Sequence, residues 1–137
     1  MLEAPNQSSA CVTLRMNKRG MATLYIGSHD IGQGSDTVMT AIVAEELGLP
    51  MDMVKTFMSD TFLTPWDSGS YGSRVTFLAG NAARRAAVDA KRQLFEVIAP
   101  MWGVMPETLE CLDGKVISKE KAEYQMSIGD AMFKYMT

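Results

Sequence analysis

Apolar and polar residues alternate over positions 11–16 and 21–28, on either side of Asn17-Lys18-Arg19-Gly20. A period of two broken by a turn-forming tetrad predicts a β-hairpin. The period then lengthens. Val38, Ile42, Val43 and Leu47 fall at helical spacing over residues 36–47, with Gly48 as a stop and Pro50 beyond it. Residues 53–58 read as a short strand. Val75, Leu78, Ala79, Ala82, Ala86, Leu94, Val97 and Ile98 predict one long helix from about residue 74 to 99, ended by Pro100, with an alanine-rich first half suited to close packing. Pro106-Glu107 predicts a single helical turn, and residues 109–112 and 115–118 around Asp113-Gly114 predict a second hairpin. Ser127 caps a last helix that has made only two turns when the chain stops at Thr137. The sum is an α+β fold, with β-hairpins and a mixed sheet packed against two main helices in a single domain over residues 1–137.

Composition narrows the function classes. A chain of 137 residues buries roughly two-thirds of its unfolded surface, so a real core is expected from its 47% hydrophobic residues. No apolar run approaches the roughly 20 residues of a membrane span, and the first ten residues lack a basic start and an apolar core, so a cytoplasmic protein is expected. The net charge of −3, with signs interspersed, offers nucleic acid no field, and Arg84, Arg85, Lys91 and Arg92 read as a solvated helix face. Cys11 and Cys111 are too few for a zinc or iron–sulfur ligand set and are expected to be reduced and structural. The twelve methionines follow the predicted elements without forming a stripe and read as core filling.

The candidate chemistry lies in two loops. Asp30-Ile31-Gly32-Gln33-Gly34-Ser35-Asp36-Thr37 joins a predicted strand to a predicted helix. Glycines there let a ligand approach the main chain, and the first amides of a helix favour anions. Gln33, with one acceptor and two donors, suits the edge of a heterocycle better than a bare phosphate, so a neutral, ring-bearing cofactor is the sharper expectation. Residues 64–82 form a second Gly/Ser-rich loop that runs straight into the long helix. Within it Trp66 and Tyr71 either wall a planar ligand or pack down onto the fold. Arg74 is either a surface residue in the first turn of the helix or a partner for phosphate. His29, the only histidine, is either a proton carrier facing the ligand or a turn residue. Glu45, Glu46 and Asp60 read as ordinary surface carboxylates.

The two loops at this separation, D-I-G-Q-G-S-D-T and T-P-W-D-S-G-S-Y-G-S-R, resemble the molybdenum-cofactor-binding large subunit of the xanthine dehydrogenase and aldehyde oxidase family of molybdenum hydroxylases. The likeness extends along most of the chain and is greatest to bacterial members with a separate large subunit, the 4-hydroxybenzoyl-CoA reductase, nicotinate dehydrogenase and carbon monoxide dehydrogenase types. It implies that Gln33 hydrogen-bonds the pterin of a molybdenum–molybdopterin cofactor, in the plain or the cytosine dinucleotide form. It further implies that Gly34, Ser35 and Thr37 lie near the dithiolene or phosphate end, that Ser70, Tyr71, Gly72 and Ser73 contribute contacts close to the metal, and that Arg74 belongs to the same site.

The resemblance also implies a parent reaction, oxidative hydroxylation of an aldehyde or N-heterocycle or reductive dehydroxylation of an aromatic thioester. A glutamate acts there as base, and electrons leave through iron–sulfur clusters. This chain shows no G-x-G-E-like segment for that base, no G-G-G-F-G-G loop and no F-R-G loop. No catalytic residue and no metal ligand is therefore assigned, and the chain is expected to be a segment of a larger subunit, inactive alone. Its expected partners are the rest of the molybdenum subunit, an iron–sulfur subunit and an FAD subunit, with self-association through uncovered apolar surface. The rival expectation is a stand-alone module that uses the two loops for another phosphate-bearing ligand.

Overall fold

The computed structural model describes residues 9–121 and 123–137. Strands β1 (Val12–Met16) and β2 (Ala22–Ile26) form the first hairpin, and the chain continues through helix α1 (Ser35–Leu47) to strand β3 (Val54–Met58). β2 is central, antiparallel to β1 and parallel to β3, which makes the sheet mixed. The alternation seen in the sequence becomes burial: Ala22, Leu24 and Ile26 are fully enclosed, whereas Tyr25 on the opposite face stacks on Phe57 with ring centroids 5.6 Å apart.

The long helix has two parts. Residues Val75–Ala79 form a wide π-helical turn that leads into α2 (Gly80–Trp102). α2 brings Ala83, Ala87, Leu94 and Ile98 to the core, where they join Met39, Val43 and Leu47 of α1. Small residues allow the close approach of the helices: a Cβ on Gly80 would lie 3.0 Å from the Ile42 side chain. Pro100 does not end the helix as the sequence reading expected. It sits inside α2, which continues to Trp102 and stops at Gly103 in the left-handed conformation with φ 61°. A proline in the last turn removes one hydrogen bond without unseating the buried Ile98 and Ala99 that hold the turn down.

β4 (Leu109–Leu112) and β5 (Lys115–Ser118) form the expected second hairpin, and β6 (Gln125–Ser127) extends it to a three-stranded antiparallel sheet. At three residues β6 is too short to show an alternation. It leads into α3 (Ile128–Tyr135), whose Asp130 amide donates to the Ser127 hydroxyl as the capping pattern predicts. The second sheet is tied to the end of α1, where the Gly114 amide donates to the Gly48 carbonyl at 2.7 Å.

These features bear out the α+β class, with two three-stranded sheets and helices α1 and α2 as the principal covering elements among the described residues. The cysteines are both free, and burial pushes the Cys111 thiol up to about 12, which keeps it protonated. The basic helix face is partly engaged: Lys91 and Arg84 both pair with Glu46, at 2.5 and 3.2 Å, so that residue is more than a solvated surface carboxylate.

Candidate functional site

Both glycine loops leave the same end of the first sheet. β2 runs into the first loop, and the stretch after β3 leads into the second, because β2 and β3 are parallel. The loops are joined at the His29 backbone. Its amide donates to the Ser70 hydroxyl at 3.0 Å, and its carbonyl accepts from the Ser70 hydroxyl at 2.6 Å and from the Gln33 side-chain amide at 3.1 Å. The His29 carbonyl is therefore the hub of the site. The imidazole is exposed, and it is the backbone of His29 that engages the chemistry-bearing residues. No feature of a lone histidine in the sequence signals that role.

Gln33 is braced as well as exposed. Its Oε1 accepts from the Ile31 amide at 2.6 Å, and its Nε2 donates to Ser35 Oγ at 3.0 Å besides the His29 carbonyl. Both donor hydrogens are engaged within the chain, which leaves spare capacity on the acceptor oxygen for a ligand.

The start of α1 differs from the open anion site that the sequence suggested. Asp30 fills it: Oδ1 accepts from the Gly32 amide at 2.8 Å and Oδ2 from the Asp36 amide at 3.2 Å, while Asp36 Oδ1 accepts from the Thr37 amide at 2.6 Å. Two carboxylates occupying the helix start disfavour a phosphate there, by like-charge repulsion and by competition for the same donors. The signal for Asp30 was present in the sequence as D-x-G, an aspartate taking the amide two residues on. Asp67 repeats the device in the second loop, accepting from the Gly69 amide at 2.8 Å.

The Gly32 and Asp36 amides, the strongest influences, hold the Asp30 carboxyl below the ordinary aspartate value. A depressed carboxylate supports the folded loop above its unfolded value of about 4 and loses that support as pH falls through the lower folded value. The Gly32 and Asp36 amide resonances are thus expected to hold steady from neutral pH to about 4 and to shift only below it. Their shift should vanish in Asp30→Asn. A midpoint above about 4 would contradict this account.

Arg74 is neither a surface residue nor a free cation. It is 8% exposed and paired with the fully buried Asp67 side chain, Nη1 to Oδ1 at 2.8 Å. Nη1 also donates to the Gly69 carbonyl at 2.7 Å and Nη2 to the Ser9 carbonyl at 2.6 Å. Tyr71 lies against the guanidinium, 5.4 Å from Cζ to the ring centroid, and is well exposed.

Ile31, Gln33, Ser70, Tyr71, Gly72 and Ser73 line a single open cleft of about 290 Å³, together with Arg74, Val75 and Thr76. That is at the lower end of small-molecule clefts. The structure so brings together Gln33 and residues 70–73. Gly34, Ser35 and Thr37 stand at the helix start beside it, with Ser35 buried. Gly32 and Gly34 from one loop, and Gly69 and Gly72 from the other, present backbone with open space where a Cβ would project. A larger groove of about 460 Å³ between β1, α2 and α3 contains none of these residues.

Comparison with known proteins supplies the deciding observation: the family model of the molybdopterin cofactor-binding domain matches residues 1–136. The chain belongs to that family. The domain is 34% identical over 111 residues to a putative xanthine dehydrogenase molybdenum-binding subunit of Escherichia coli K12, a match covering 80% of this chain and 15% of the relative. It is 33% identical over 97 residues to the carbon monoxide dehydrogenase large chain of Hydrogenophaga pseudoflava, covering 71% and 12%. Among solved structures, the reconstituted CO dehydrogenase from Oligotropha carboxidovorans superposes with a TM-score of 0.82 at 28% identity, over 90% of this chain and 15% of that one. Quinoline 2-oxidoreductase from Pseudomonas putida 86 shares the fold, with a TM-score of 0.83 at 23% identity over 89% and 15%.

The sequence therefore encodes a molybdopterin-binding domain of the xanthine dehydrogenase and carbon monoxide dehydrogenase type, and spans about one-seventh of the relatives it matches. The expectation of a molybdenum cofactor is met at that level. The rival stand-alone module for another ligand is not supported. Among the described residues, no helix is long and apolar enough to cross a membrane and no cluster of His, Cys, Asp and Glu could hold a metal ion.

Proposed function

We propose that the domain supplies one wall of a molybdenum-cofactor site, with Gln33, Gly34, Ser35 and Thr37 from the first loop and Ser70, Tyr71, Gly72, Ser73 and Arg74 from the second. The observation that carries this reading is the shared cleft, in which Gln33 and residues 70–73 meet around the His29 carbonyl. Gln33 offers its remaining acceptor capacity to the N–H edge of the pterin. Ser70 and Ser73 offer hydroxyls, and Tyr71 is exposed to cover a ring face. With Asp30 in the α1 start, the neutral ring is favoured at the first loop and a phosphate or cytosine nucleotide, if carried, lies away from it.

When bound, the cofactor supplies the redox chemistry of the parent enzyme, hydroxylation of an aldehyde or N-heterocycle or reductive dehydroxylation of an aromatic thioester. This chain's part is to hold and orient it, and it contributes no catalytic base. The remaining sequence of the large subunit, together with iron–sulfur and FAD subunits, completes the enzyme in the cytoplasm. The names of two relatives, subunit gamma of a dehydrogenase complex and a hydroxylase large subunit, support such an assembly.

A reduced pterin titrated into the full chain and followed by amide hydrogen exchange tests the shared site. Residues 31–35 and 70–74 are expected to gain protection together, at the same midpoint. Protection of one loop alone, or of the groove between β1 and α2, overturns the reading. The chain alone, supplied with molybdenum cofactor, is expected to oxidise no aldehyde or purine with dye acceptors above a denatured control.

Self-association is a separate expectation. Phe62 is 98% exposed and Phe77 70%, with Trp66 and Leu63 also exposed. Apolar surface of this kind marks contacts with partners. Sedimentation should show oligomers that grow with concentration; a monomer at high concentration argues against it.

A further inference from the structure

We infer that Arg74 is a positioning residue whose buried guanidinium fixes the backbone of residues 69–73, and that it does not itself grip a cofactor phosphate. The inference rests on the cofactor reading of the cleft. Three of its contacts reach two separate segments: Asp67 and the Gly69 carbonyl in the second loop, and the Ser9 carbonyl near the N-terminus. The segments at Ser9 and Asp67 are already joined by an isolated antiparallel bridge between Ala10 and Asp67. Arg74 closes this arrangement into a ring. Between its fixed ends the chain takes left-handed conformations at Gly69, Gly72 and Ser73, with φ 102°, 56° and 55°. A serine in that region persists only where its surroundings hold it.

The geometry argues against a direct ionic grip. A phosphate reaching Nη1 would have to displace the Asp67 carboxylate or the Gly69 carbonyl, and displacing the former leaves a fully buried aspartate without its counter-charge; the second hydrogen of Nη2 is on a side chain only 8% exposed. The Nε hydrogen finds no partner among the described residues, but it is itself buried. The planar fork is what the site uses, since one side chain must satisfy three acceptors in different directions. A lysine would restore the charge and lose the geometry.

The test compares Arg74→Lys, Arg74→Ala and Asp67→Asn with the parent in the full chain, by amide exchange with and without a reduced pterin. Without ligand, exchange at residues 68–73 is expected to rise more than about tenfold in all three variants, and exchange in β1, β2 and β3 to stay as in the parent. Pterin affinity should fall by a similar factor. Millimolar methylguanidinium should restore slow exchange and pterin affinity to Arg74→Ala, and methylammonium should not.

A loop as slow in Arg74→Lys as in the parent, with pterin affinity lost, makes Arg74 a direct ligand and overturns the inference. A loosened loop with unchanged pterin affinity removes the positioning role. If Arg74→Ala and Asp67→Asn exchange rapidly throughout the chain, Arg74→Lys decides alone. A parent that gains no pterin protection sinks the cofactor reading, and with it the positioning role, while the ligand-free exchange still reports whether the ring of contacts exists.

Discussion

Gly48→Ala is expected to destabilise the domain by about 3 kcal/mol, whereas Gly103→Ala, at nearly the same backbone angle, costs only about 1 kcal/mol. Both glycines close a helix in the left-handed conformation, with φ 62° and 61°. An L side chain is strained equally at the two positions. They differ in what surrounds them. A Cβ on Gly103 would meet no atom within 4 Å, but on Gly48 it would lie 2.3 Å from the Cys111 carbonyl oxygen and 2.9 Å from the Leu112 nitrogen. The new methyl would face backbone atoms that cannot rotate away, so β4 must withdraw from the end of α1 and loosen the hydrogen bond from Gly114 to Gly48. Against a total stability of about 5–15 kcal/mol this is a large loss, on the order of 10 °C in Tm. Thermal or urea unfolding of the two variants checks it, and equal losses would mean that the second sheet is not seated tightly on α1.

Gln33→Ala and Gln33→Glu are both expected to lower cofactor affinity in the intact large subunit by roughly 10- to 100-fold, the range for losing one or two hydrogen bonds at a buried ligand. Alanine removes any bond to the ligand together with the braces to Ile31, Ser35 and His29. Glutamate keeps the acceptor and the volume, but it sets a carboxylate oxygen where Nε2 now donates to the His29 carbonyl. Acceptor then faces acceptor, and a further negative charge stands in the loop that holds Asp30 and Asp36. The isosteric change should therefore be at least as damaging as truncation. Molybdenum and pterin content of the purified subunit reads this directly. Undiminished content in Gln33→Glu would show that the amide donors do not matter, and undiminished content in Gln33→Ala would take Gln33 out of the site.

The fit between sequence and structure varies with the range of the forces involved. The hairpins, the three helices, the caps at Gly48 and Ser127 and the α+β class were legible because each depends on residues a few positions apart. Period, turn chemistry and capping are local properties, and here they agree with burial. Pro100 misled for the same reason. A local rule ends the helix there, but the packing of Ile98 and Ala99 carries it to Trp102.

Family membership was legible as well, from two short motifs at the right separation, and the match over residues 1–136 agrees with it. The sequence could not show how the two loops meet. The His29 carbonyl, 41 residues from Ser70, joins them through backbone atoms that look alike at every position. Nor could it show that Asp30 fills the α1 start or that Arg74 turns inward to Asp67, Gly69 and Ser9. An arginine beside a glycine loop is equally consistent with a phosphate and with a buried carboxylate until burial is known, because the guanidinium satisfies either. The sequence by itself determined the elements and the kind of ligand. The tertiary structure alone decided which donors and acceptors remain for that ligand once the chain has satisfied its own.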